Sequence, residues 1–189
     1  MAFDVSAIAK HLMSEPPERA KINAVLAMPA VQREITAPRE IDRSHDVPYL
    51  AGSDKEGGTT YIDKDVPASV KIGGKAVDPA KYLNVHEQTE HALMTVGKMP
   101  YEQAHSIATQ KERAAVEADG LSWKEYEAVM DGYLDDTEHE KGEDFPPDLY
   151  EKPYPHDKQK LMERAEAKER GPNHDPKQMA VVLIHGVKA

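Results

Sequence analysis

NVHEQTEHALM, residues 84–94, is the stretch on which the reading of this chain turns. It lies in a segment with strong helical punctuation. Asp78 followed by Pro79 makes an N-cap and first-turn pair, and Gly97 stands where a C-terminal stop is expected, so a helix is predicted from about Pro79 to Val96. Tyr82, Leu83, His86, Glu90, Leu93 and Val96 recur at helical spacing along it. His86 and Glu90 therefore interrupt an apolar stripe, where unpaired polar groups would cost several kcal/mol. Residues four apart lie on one face a turn apart, so His86 and Glu90 can converge on a single ion. Glu87 projects about 100° round the helix from His86, where it can reach a water on that ion without ligating it.

The next segment supplies a further ligand. A second helix is expected from near Pro100 to Gly120, with Tyr101, His105, Ala108, Glu112 and Ala115 on one face. An antiparallel return across the tight turn at Gly97 to Pro100 would bring His105 to Glu90, fifteen positions earlier. Glu112, two turns further on, is the alternative third ligand, or orients His105 from behind. His91 is about 140° round the helix from His86 and is a poor co-ligand.

Working outward, the chain falls into blocks. Residues 1–40 form a helical preface with short patterns at Ser6 to Met13 and Pro17 to Met28, each closed by proline. The core is read as residues 41–134. From Val47 to Val77 its texture is β-like, with Thr59 to Ile62 reading as a strand, Ser69 to Ile72 as a second, and Gly57-Gly58 and Gly73-Gly74 as turns. A third helix begins at Ser122 with Glu125 in capping-box spacing and runs to about Tyr133. Residues 135–189 are read as an acidic, proline-broken wrap to Lys158, a charged helix from about Lys158 to Arg170 and an apolar strand at Met179 to Ile184. The fold class expected is α+β and mainly helical, with a small sheet packed on the motif helix and an antiparallel ligand helix after it.

Composition removes several function classes. The 34 acidic residues outnumber the 24 basic ones and give a net charge of -10, which argues against binding phosphate backbones as the main task. Without cysteine there are no disulfides, no thiolate catalysis and no cysteine-ligated zinc, and a reducing cytoplasm is the simplest setting. No stretch approaches 18 apolar residues, and the first residues lack the basic flank and long apolar run of an export signal, so the expectation is a soluble, unexported protein with no membrane partner. P-loop, dinucleotide and GxSxG patterns are absent from the sequence.

With HExxE at residues 86–90 and the alanine-histidine helix after it, the chain resembles the zincin metallopeptidases. The likeness is to minimal zincins that keep an edge strand, the active-site helix and a following ligand helix, and to short phage or prophage-type proteins of this kind. It covers roughly Val47 to Tyr133, with Glu90 in the place of the usual second histidine. The resemblance implies a bordering strand that pairs with an extended substrate. GGTTYIDKDVP at residues 57–67 occupies that place, so Thr60, Tyr61, Ile62 and Asp63 are the expected substrate edge.

The function expected is hydrolysis of a peptide or amide bond at a zinc ion held by His86, Glu90 and His105, with Glu87 as general base. Tyr61 and His91 are candidate oxyanion donors. The competing class is a non-catalytic phage-type or bacterial accessory protein, whose cluster is a structural metal site or a buried polar network and whose acidic surface binds a partner. A closed site would favour the accessory protein, and an open position beside Glu87 the enzyme.

Overall fold

Asp78 starts the central helix as its sequence suggests: its Oδ1 accepts the Ala80 N–H at 3.0 Å. In the computed structural model, which describes residues 16–47, 49–137 and 145–150, that helix spans Ala80–Thr95. The chain divides into Met1–Pro153 and Tyr154–Ala189, and all described residues belong to the first unit.

The elements run α1 (Pro16–Leu26), α2 (Pro29–Thr36), β1 (Glu40–Asp42), β2 (Ala51–Ser53), β3 (Thr59–Ile62), β4 (Val70–Ile72), β5 (Lys75–Val77), α3 (Ala80–Thr95), α4 (Tyr101–Ala118) and α5 (Trp123–Thr137). The class is α+β and mainly helical. Proline at its start makes α2 a separate helix after Pro17 to Met28, which the sequence reading did not separate out. The patterns at Ser6 to Met13, Lys158 to Arg170 and Met179 to Ile184 lie outside the described residues. Among the described residues no helix is long and apolar enough to cross a membrane.

Two small sheets flank α3. In the first, β3 lies between β1 and β2, parallel to β1 and antiparallel to β2. The second is the β4–β5 hairpin, turned by Gly73 and Gly74 at φ 55° and 78°, the left-handed pair that a tight hairpin needs. The placement of β3 corrects one expectation. Thr60, Tyr61 and Ile62 are in the central strand, Thr60 and Tyr61 paired on both sides and Ile62 with Ala51, so this strand is not the free edge expected for a substrate. Linear order hid this, because the parallel partner β1 comes from a charged segment seventeen residues or more upstream, Glu40 pairing with Thr59 and Asp42 with Tyr61. Asp63 closes the strand end: its carboxylate accepts the Val47 and Asp65 N–H groups, both at 2.9 Å.

The helices α3 and α4 return on each other antiparallel, with apolar clusters at both ends of their contact. At the turn, Leu93, Ala92, Met99, Ala104 and Ile107 are buried together with Ile22 of α1 and Val31 of α2. At the far end Tyr82, Val116, Tyr126 and Met130 pack with Val70 and Ile72. The turn needs glycine for space, since a Cβ at Gly97 would lie 2.7 Å from both the Leu93 carbonyl oxygen and the Val25 Cγ1. Lys98, at φ 52°, takes the left-handed conformation. We expect Gly97→Ala to destabilise the protein by about 1–3 kcal/mol through overpacking against a backbone atom. Urea unfolding monitored by circular dichroism will show it, and an unchanged midpoint would mean that the turn relaxes freely.

Candidate metal centre

Polar residues fill the middle of the α3–α4 contact, between the apolar clusters. His86 and Glu90 sit one turn apart on α3 and are buried, Glu90 to 1% exposure. Across from them on α4, Ala104 and Ala108 are fully buried, and these small side chains let the helices approach closely enough for His105 to reach α3.

Three ligand atoms converge there. His105 Nδ1 lies 2.7 Å from Glu90 Oε2 and 3.1 Å from His86 Nε2, and His86 Nε2 is 3.5 Å from Glu90 Oε2. A tetrahedral ion with bonds of about 2.0–2.1 Å would hold its ligand atoms about 3.3 Å apart, so this triangle has the size that such an ion needs. His86, Glu90 and His105 thus form a group that can hold a metal ion. The His105 side chain is 40% exposed, which leaves one flank of the group open to solvent.

Glu112 stands behind the triangle. Its Oε2 accepts the His86 Nδ1–H at 2.9 Å, and its Oε1 accepts the Tyr126 hydroxyl at 2.8 Å. A carboxylate on the outer ring nitrogen fixes the tautomer and turns the other nitrogen's lone pair inward. The sequence suggested Glu112 as a third ligand or a brace for His105; the geometry makes it the brace for His86. Tyr126 escaped the sequence reading because it comes from α5, and only the packing of that helix brings it to Glu112. Burial, then the charge and hydrogen bond of Glu112, push the Tyr126 phenol up from its usual pKa, so it remains a donor. Burial disfavours the charged form of His86, but hydrogen bonds and charge from Glu112 and Glu90 outweigh it and raise its pKa to about 10. Without an ion the two carboxylates favour the doubly protonated ring, and a metal at Nε2 would displace that second proton.

Glu87 and His91 lie about 100° round the helix from His86 and Glu90, on the side of β2 and the segment before β1. Glu87 is buried, its carbonyl oxygen takes a long 3.5 Å bond from Ser53 Oγ, and its charge acts on the Arg39 guanidinium. Arg39, which the sequence reading passed over, has a fully buried side chain. Its guanidinium donates to Ser53 Oγ at 2.9 Å and to Glu34 Oε1 at 3.4 Å, while its Nε has no hydrogen-bond partner among the described residues. His91 is held at 3.3 Å from Arg39 and 3.3 Å from the Lys55 carbonyl oxygen. Burial, then the Arg39 charge, lower its pKa. The Tyr61 hydroxyl donates to Asp148 at 2.7 Å and its ring stacks on His45, so Tyr61 and His91, the two oxyanion candidates, are engaged elsewhere.

These positions set an order of effects. His105→Ala removes one of three converging atoms, whereas Glu112→Gln and Tyr126→Phe only loosen the brace, for which a loss of about 10–100-fold in metal affinity is expected. Chelator competition should rank His105→Ala as the most damaging of the three. If Glu112→Gln abolishes binding while His105→Ala binds normally, the ligands are His86, Glu90 and Glu112, a harder, carboxylate-rich set.

No protein-family model, curated protein or solved structure matches this chain, so its chemistry has to be read from these side chains.

Proposed function

We propose that this chain is a zinc-dependent hydrolase of peptide or amide bonds, of the minimal zincin type that its HExxE helix resembles. The observation that carries the reading is the convergence of His86 Nε2, Glu90 Oε2 and His105 Nδ1 on a point with one solvent-open flank. Two imidazoles and a carboxylate are an ordinary ligand set for catalytic zinc, which keeps a fourth position free. Charge supports it as well: Glu90 and Glu112 are two buried carboxylates, and one divalent ion with neutral imidazoles balances both.

When bound, zinc lowers the pKa of a water molecule and polarises a carbonyl. The protein's own groups do the rest. Glu87, next to His86 but about 100° round the helix, would accept a proton from the water and pass it to the leaving amine. Arg39 opposes the Glu87 charge from the sheet side. Glu112 and Tyr126 keep His86 in one tautomer, so its inner nitrogen needs no reorientation. A chain without cysteine suits a reducing, cytoplasmic setting.

Metal analysis of natively purified protein tests the centre: about one zinc per chain is expected, largely lost in His86→Ala. Equal metal in both would remove His86 from the ligand set. Glu87→Gln should keep metal and fold while peptide hydrolysis falls by at least about 10²-fold. Loss of metal in that variant would make Glu87 a ligand, and a wild type that holds zinc but cleaves no peptide in a mixed library would favour the structural site of an accessory protein.

A further inference from the structure

β2 has β3 on one side, and on the other the chain covers its edge with a short piece of itself. Leu149 forms an antiparallel bridge with Asp54; Tyr150 N donates to the Ser53 carbonyl oxygen at 2.7 Å and Lys55 N to that of Asp148 at 2.9 Å. Every side chain of the piece has a seat. The Asp148 carboxylate accepts the Tyr61 hydroxyl at 2.7 Å. Leu149 lies over Gly52, where a Cβ would come within 2.7 Å of its Cδ1 and 3.4 Å of Val47 Cγ1. The Tyr150 ring meets the His91 ring edge-on, with centroids 5.5 Å apart.

The arrangement is that of strand addition to a sheet edge, a mode in which main-chain bonds supply affinity and side-chain contacts supply selection. We propose that the β2 edge binds an extended segment with the order acidic, leucine, tyrosine, and that residues 148–150 fill it in cis until a partner segment of the same chemistry displaces them. Displacement is feasible because the cis pairing is small. Among the described residues it consists of one bridge and two main-chain hydrogen bonds, against about five or six residues in an average strand. Pro146 and Pro147, immediately before it, have no N–H with which to lengthen the ladder. A tethered segment competes at an effective concentration of about millimolar, so a free peptide binds weakly until the cis strand is loosened.

The test uses the full-length chain and a fluorescein-labelled peptide, PDLYEK, copied from residues 147–152. Fluorescence anisotropy should show Leu149→Gly protein binding this probe at least about tenfold more tightly than wild type, because the cis competitor is weakened. A probe carrying Leu149→Asp should lose that binding, as should protein combining Leu149→Gly with Gly52→Val, whose side chain occupies the leucine seat. Equal affinity for wild type and Leu149→Gly, or no binding to either, overturns the proposal. Amide hydrogen exchange gives a second reading, with Leu149→Ala in place of Leu149→Gly if the latter melts early. The probe should restore protection at Lys55 N but leave Tyr150 N exchanging, and protection of both or neither counts against displacement. Neither readout requires metal or hydrolysis, so this proposal and the zinc reading fail independently.

Discussion

Two carboxylates buried between a pair of packed helices are the constraint around which this molecule is arranged. Glu90 and Glu112 are 1% and 6% exposed, and an uncompensated charge at either place would cost far more than the helix contact returns. His86 answers both at once, with one ring nitrogen toward each carboxylate. Tyr126 donates to the other Glu112 oxygen, and His105 lies on the same Glu90 oxygen as His86. The buried alanines follow from the same demand. A bulkier side chain at Ala104 or Ala108 would hold the helices apart and leave the carboxylates without the partners that make their burial tolerable.

The other faces of α3 are as fully used. Eleven of its sixteen residues are buried, more than the single stripe of an amphipathic surface helix provides. Among them the run from His86 to His91 is polar throughout, and its contacts lead to different elements. His86 and Glu90 turn to α4. The Gln88 amide donates to the Glu34 and Ala37 carbonyl oxygens and so ties down the end of α2, while His91 binds the loop after β2. One turn earlier, Asn84 accepts the Thr60 hydroxyl of β3 at 2.7 Å. A helix enclosed in this way needs polar side chains on every side, because the groups it meets are backbone carbonyls and charged residues as well as methyl groups.

That arrangement explains what the sequence made legible and what it did not. The His86, Glu90 and His105 group was readable because its members obey local rules: His86 and Glu90 are four apart on one helix, and a tight turn at Gly97 fixes the antiparallel return that brings in His105. The brace was only half readable. Glu112 lies on the predicted face of α4, but whether it meets His86 or His105 depends on the offset between two helices, and Tyr126 depends on a third. The sheet was the least legible part. Ala51-Gly52-Ser53 has little of the β-branched or aromatic character that marks a strand, and it is a strand because Thr60 to Ile62 and Leu149 pair with it from distant parts of the chain. Arg39 is of the same kind: nothing local marks it as buried, and its carboxylate, hydroxyl and imidazole partners come from three separate elements or loops.

The two sides of α3 also differ in what they require of the chain. On the α4 side the interacting groups are side chains on two rigid helices, where positions are set by helical geometry and a substitution acts by removing an atom or its support. On the sheet side many of the partners are backbone groups of short strands and loops, held by Ser53, Lys55 and the Asp54–Leu149 bridge. Short strands draw little stability from their own pairing, so their position depends on the helix beneath them. The buried Arg39 guanidinium and the carbonyl groups at Glu87 and Lys55 link the two. The α4-facing side of α3 is thus fixed by helix packing, whereas the β2 edge is held by a few main-chain contacts from Asp148, Leu149 and Tyr150.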